Sequence, residues 1–74
     1  MITEHERVVL TADLPQKGLK AGDVGVVVLI HDEGAGNEVE IFTLDGRTLD
    51  VITVVAAQVR VVDPAEVMHV HRAD

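Results

Sequence analysis

Four histidines, His5, His31, His69 and His71, are the side chains best suited to bind a metal or move a proton near neutral pH. Two of them form the triplet His69-Val70-His71. On a strand these rings point the same way, as a chelating pair requires; on a helix they stand about 200° apart around the axis. Asp63-Pro64 just upstream is a helix-start signal, with Asp63 as the cap and Glu66 one turn in. The two rings are therefore expected to diverge, and the stretch ending at Asp74 reads as a solvated tail. The carboxylates are scattered. Asp32-Glu33-Gly34 lacks the regular oxygen spacing of a calcium loop. Glu38 and Glu40 share one strand face opposite Val39 and Ile41, which makes them the wet side of a sheet. The chain has no cysteine, serine or tyrosine, so a nucleophile would have to be threonine or lysine, and no motif surrounds any of these. Gly22 and Gly25 are followed by neither a helix nor the Lys-Ser/Thr ending of a phosphate loop. No catalytic, cofactor-binding or metal-ligating residue is expected, and the chain does not read as an enzyme.

Composition narrows the remaining classes. Thirteen acidic against six basic residues give a formal net charge of −7. Nucleic-acid affinity comes largely from Lys and Arg neutralising phosphates, so neither DNA, RNA nor an anionic membrane is an expected partner. The charge keeps a valine-rich chain soluble and would also steer it toward a protein with a basic surface. Phe42 is the only aromatic residue. A groove for proline-rich peptides and a stacking platform for single strands both need several aromatics. The longest apolar run, Val24 to Ile30, is far shorter than the roughly 20 residues of a spanning helix. Thr3, Glu4, His5 and Glu6 are the wrong chemistry for a signal peptide, so a cytoplasmic location is expected.

The elements that must carry these residues are short strands. Apolar content is 47%, mostly Val, Ile, Leu and Ala, and β-branched side chains favour pleated, half-buried surfaces. Turn signals recur at about 8–12-residue spacing, as in a small barrel. Strands are predicted over Arg7–Thr11, Asp23–His31, Glu38–Thr43, Thr48–Val55 and Val59–Val62. Asp45-Gly46 marks a hairpin, Ala56-Ala57-Gln58 a tight turn, and Pro64 to Arg72 a short helix or a fraying tail. One long early loop, two hairpins and a tight turn before the last strand predict an all-β, five-stranded SH3-like barrel. The chain reads as a single domain over 1–74, with a core over 6–63 and a C-terminal tail over 64–74.

Lys20-Ala21-Gly22-Asp23-Val24-Gly25-Val26-Val27 resembles the glycine turn of KOW-type and other SH3-like domains. Gly22 can take a positive φ, and Gly25 lets a strand bend or another backbone approach. With RVVLT, LP, GLKAGDVG, EVE and FTLDG, the chain also resembles a bacterial family of small proteins, a domain of unknown function, over roughly residues 6 to 63. That resemblance implies a stand-alone domain and brings no activity, cofactor or catalytic residue.

The alternation of apolar and polar residues breaks in three strands. Phe42 falls on the wet side of the third, and Ile52 and Val54 on the side of Thr48 and Asp50 in the fourth. Val27 and Leu29 oppose Val24, Val26, Val28 and Ile30 in the second, unless a bulge at Gly25 swaps the two sets. The tail is expected to fold back with Val67, Met68 and Val70 to cover this surface, and Leu29, Phe42, Ile52 and Val54 to form an apolar interface for another chain, two readings that can coexist. A domain this small usually needs disulfides, a metal or an oligomer interface, and without cysteine self-association is favoured. The expected function is a non-catalytic protein-interaction module, one form being an acidic inhibitor or antitoxin-like protein that masks a basic partner. The alternative is a structural homo-oligomer, expected as a dimer.

Overall fold

A computed structural model describes residues 2–72; Met1, Ala73 and Asp74 lie outside the described residues, so the expected tail is followed as far as Arg72. The valine-rich segments form β1 (Arg7–Leu10), β2 (Val24–His31), β3 (Gly36–Phe42), β4 (Thr48–Val55) and β5 (Val59–Val61). Neighbouring strands are antiparallel, in the order β4-β3-β2-β1-β5. A 3₁₀ turn at Ala56–Gln58 turns the chain from β4 into β5. It is tied down locally: Gln58 Oε1 accepts the Val55 N–H at 2.9 Å, and the Thr11 N–H donates to the Gln58 carbonyl at 2.8 Å. This strand order, with a long connection after β1 and a tight turn before the last strand, is that of an SH3-like barrel.

Two glycines serve the turn between β1 and β2 and the strand that follows, for different reasons. Gly22 adopts φ +98°, where a side chain would be strained. Its N–H donates to the Leu10 carbonyl at 2.8 Å, and the Leu10 N–H donates to the Asp23 carbonyl at 2.9 Å. Gly25 lies inside β2, and a Cβ placed there would overlap Val39 Cγ1 and stand 2.8 Å from the Glu40 carbonyl oxygen. β3 can cross β2 this closely only because Gly25 has no side chain.

The core is filled from every strand, with Val8, Leu10, Val27, Val39, Ile41 and Val59 among its members, and Leu19 reaches in from the long connection. Ile52 and Val54 belong to it as well, each only 2% exposed. They were expected on the outer face, and the reason for the difference is a bulge. Ile41 pairs with Asp50 but Phe42 pairs with Thr48, so Leu49 is the extra residue. Downstream of it, Asp50, Ile52 and Val54 share the inward phase, and Asp50 sits at the barrel's end, 3.6 Å from Lys17 Nζ. In β2 the irregularity falls between Val27 and Leu29, not at Gly25, which leaves Val27 inside and Leu29 43% exposed. Asn37 is the one buried polar side chain among the described residues, 1% exposed, with no hydrogen-bond partner for its Oδ1.

The segment after β5 is not a helix, and it does not pack its apolar side chains onto the sheet. Asp63 Oδ1 accepts the Ala65 N–H at 2.8 Å and the Glu66 N–H donates to the Asp63 carbonyl at 3.0 Å, closing a single turn. The chain then runs extended, because starting a helix costs more than one turn returns and Val67 and Val70 are poor helix formers. Val67, Met68 and Val70 stay exposed. No helix among the described residues is long and apolar enough to cross a membrane.

Candidate functional site

The tail is held at two points. Arg60 at β5 grips the Glu66 carboxylate with both terminal nitrogens, the Nη1 to Oε1 bond measuring 2.7 Å. Glu66 Oε1 also accepts the Asp63 N–H at 2.7 Å. The Arg60 guanidinium, aided by that backbone bond, pulls the Glu66 carboxyl down to about 2. At the far end His71 Nε2 meets Asp23 Oδ1 at 2.6 Å, beside Lys20 and His69. The Arg72 carbonyl, 2.9 Å from His71 Nδ1, and then the Asp23 carboxylate raise the His71 pKa above its ordinary value, against the opposing charge of Lys20.

Between these anchors the tail spans a cleft of about 630 Å³. Buried Val9, Leu19 and Ile41 form its floor, and Phe42, Leu44 and Leu49, all exposed, line the side made by the β3–β4 hairpin. That hairpin is braced by Thr43, whose hydroxyl bonds Asp45 Oδ1, while Arg47 Nε donates to Asp45 Oδ2 at 3.1 Å. The Thr43 hydroxyl first, and the Arg47 contacts after it, hold the Asp45 carboxyl below its usual range. Three of the four arginines, Arg47, Arg60 and Arg72, line the cleft against two carboxylates, Asp23 and Glu66. With the histidines neutral the lining residues sum to +1 and the rest of the chain to −8, and Asp45 of that remainder is ion-paired to Arg47 at the edge of the cleft.

The anchors titrate in opposite senses, which sets a pH range for the docked tail. Glu66 is depressed, so its contribution is full above its ordinary value of 4.5 and is lost as pH falls through about 2. His71 is raised, so its contribution is full below its ordinary value of 6.5 and is lost as pH climbs through the raised value. The backbone ¹⁵N order parameters of Val67 and Val70 are expected to be highest between those limits and to fall on the alkaline side. His71→Ala should abolish the alkaline step and leave the order parameters of Val27 and Val39 unchanged; an alkaline step that survives in the variant would place the latch elsewhere.

The residues expected to form an apolar interface do not come together. Leu29 and Phe42 are exposed, 43% and 42%, but Leu29 pairs with Glu38 and the row of Glu40 lies between it and Phe42, while Ile52 and Val54 are interior. Gly22 lines the cleft, and Gly25 is buried beneath β3. His69 and His71 share a small cavity with Asp23, and among the described residues no three His, Asp or Glu side chains are grouped to hold a metal. Missed by sequence reasoning were Arg47, Arg60, Leu44 and Leu49. The one available signal was the placing of three arginines in the second half of an acidic chain.

The structure is an SH3-like barrel with a cleft spanned by its C-terminal segment. The chain belongs to the family described as a domain of unknown function, DUF4926, whose model matches residues 4–61. The match contains both barrel-side anchors, Asp23 and Arg60, and ends before Glu66 and His71. No curated protein and no solved structure matches the chain.

Proposed function

We propose that the domain is a non-catalytic protein-interaction module of the bacterial cytoplasm that applies the outer face of β2–β4 to a partner with a basic surface. The observation that carries this reading is the placing of Glu38 and Glu40 beside the exposed aliphatic side chains of Leu29 and Val51. Glu38 lies between Leu29 and Thr53 across the strands, and Glu40 between Val26 and Val51. Both carboxylates are held in position, Glu38 by His31 Nε2 at 2.8 Å and Glu40 by the Thr48 hydroxyl at 2.5 Å. A second copy of the same face would set these carboxylates against their own kind, whereas Lys or Arg on a different protein would complement them. The charge of −8 outside the cleft adds long-range attraction to such a partner. An acidic inhibitor or antitoxin-like protein has this chemistry.

A structural homo-oligomer is the second reading, favoured by exposed Phe42, Leu44 and Leu49 at the hairpin. Light scattering with size exclusion separates the two. The interaction module is expected to run as a monomer at micromolar concentration and to recover a specific protein from the host. That protein should be lost with Glu40→Lys/Val51→Lys while the variant keeps its circular dichroism. A dimer mass, or a partner that the double variant retains, would overturn the assignment to this face.

A further inference from the structure

We propose that the cleft beneath the tail is a binding site for a small amphipathic anion, an aliphatic body with one carboxylate-type head, seated with its body on Leu19, Ile41 and Leu49 and its head at Arg47. This site is separate from the outer face of β2–β4 and does not depend on the reading of that face.

Size, lining and charge all converge on this ligand class. A volume of about 630 Å³ falls within the range of small-molecule sites, roughly 300–1,000 Å³. Its floor is apolar and closed by buried side chains, so an aliphatic body gains burial there that the exposed faces cannot give. The lining gathers three of the six basic side chains of a chain of −7, against two lining carboxylates, which favours an anionic head over a cationic one. A multiply charged anion would meet the remaining −8, and a cation would be drawn to the outer face instead.

The position of the head follows from how the arginines are used. Arg60 spends both terminal nitrogens on Glu66. Arg47 holds Asp45 through Nε alone, and a guanidinium bonded in that way keeps its terminal amino groups for a second acceptor. Anchors at Arg60 and Asp23 leave a spanned space rather than an open groove, so a polypeptide strand would first have to expel the tail, whereas a small molecule fits beneath it.

The test is a titration of the ¹⁵N-labelled full chain at pH 7 with octanoate and, separately, with 1-octanol. Octanoate is expected to shift the amides of Leu19, Ile41, Leu44 and Leu49, and to bind at least tenfold more tightly than the alcohol. Arg47→Gln should remove that tenfold preference, whereas Asp45→Asn, which loosens the same hairpin brace but keeps the Arg47 cation, should retain it. Leu49→Gln should weaken both ligands together. Equal affinity of acid and alcohol, a preference that survives Arg47→Gln, shifts centred on Leu29 and Val51, or no saturable binding up to the solubility limit would each overturn the proposal. A failure confined to this titration leaves the partner-docking face to be judged by its own variant.

Discussion

Replacing Gly25 by alanine is expected to lower the unfolding free energy by about 3 kcal/mol, the upper end of what overpacking a core costs. The added Cβ would overlap Val39 Cγ1 and meet Ile41 Cδ1 and the Glu40 carbonyl oxygen, each at 2.8 Å. Val39 is fully buried and has no empty space to enter, and the carbonyl belongs to the β2–β3 ladder, so relief requires the two strands to separate. By simple scaling, a domain of 74 residues has a stability of roughly 4–11 kcal/mol, so the loss is a large fraction of the total. Gly22 is the informative control. It has the strained φ of +98° but nothing within 4 Å of an added methyl, so Gly22→Ala should cost only about 1–2 kcal/mol. Urea midpoints for the two variants decide the matter; Gly22→Ala proving the more damaging would mean that β3 does not approach β2 as described.

Ile52→Glu is expected to unfold the domain, with a cost of about 4 kcal/mol or more, because it strands a carboxylate where Ile52 is 2% exposed. The nearest cross-strand neighbour is Val39, itself fully buried, and the surrounding core offers no cation to pair with. Val51→Glu, one residue away, is the contrasting case. Val51 faces outward beside Glu40, so the substitution adds only like-charge repulsion of about 0.2–1 kcal/mol. Far-ultraviolet circular dichroism and a urea titration of both variants read out the phase of β4 directly. A folded Ile52→Glu together with an unfolded Val51→Glu would reverse the inside and outside of the strand.

Most of the architecture was legible in the sequence because it depends on local signals. Gly22, Asp45-Gly46 and Ala56-Ala57-Gln58 punctuate runs of β-branched residues, and the five strands follow within one or two residues at each end. β3 starts two residues before its predicted beginning because Gly36 and Asn37 pair with Val55 and Val54. Strand phase was harder. Thr48, Asp50, Ile52 and Val54 share one parity in the sequence, and the two polar residues make that parity look wet. Only the extra residue at Leu49 and the pairing of Asp50 with Lys17 show that it is the dry side. The cleft was not legible at all. It depends on contacts such as His71 with Asp23, 48 residues apart, and no local pattern announces a pairing at that distance.

Asn37 bears on how this family can change over time. Its Oδ1 sits in the interior without a partner, an arrangement that typically costs about 1–3 kcal/mol. An apolar residue of similar volume at that one position would return most of it, an amount comparable with the loss from a typical damaging substitution. The domain therefore holds an untapped reserve. A lineage that gains a costly residue elsewhere can restore foldability with a single compensating change at residue 37 and leave the outer face and the cleft untouched.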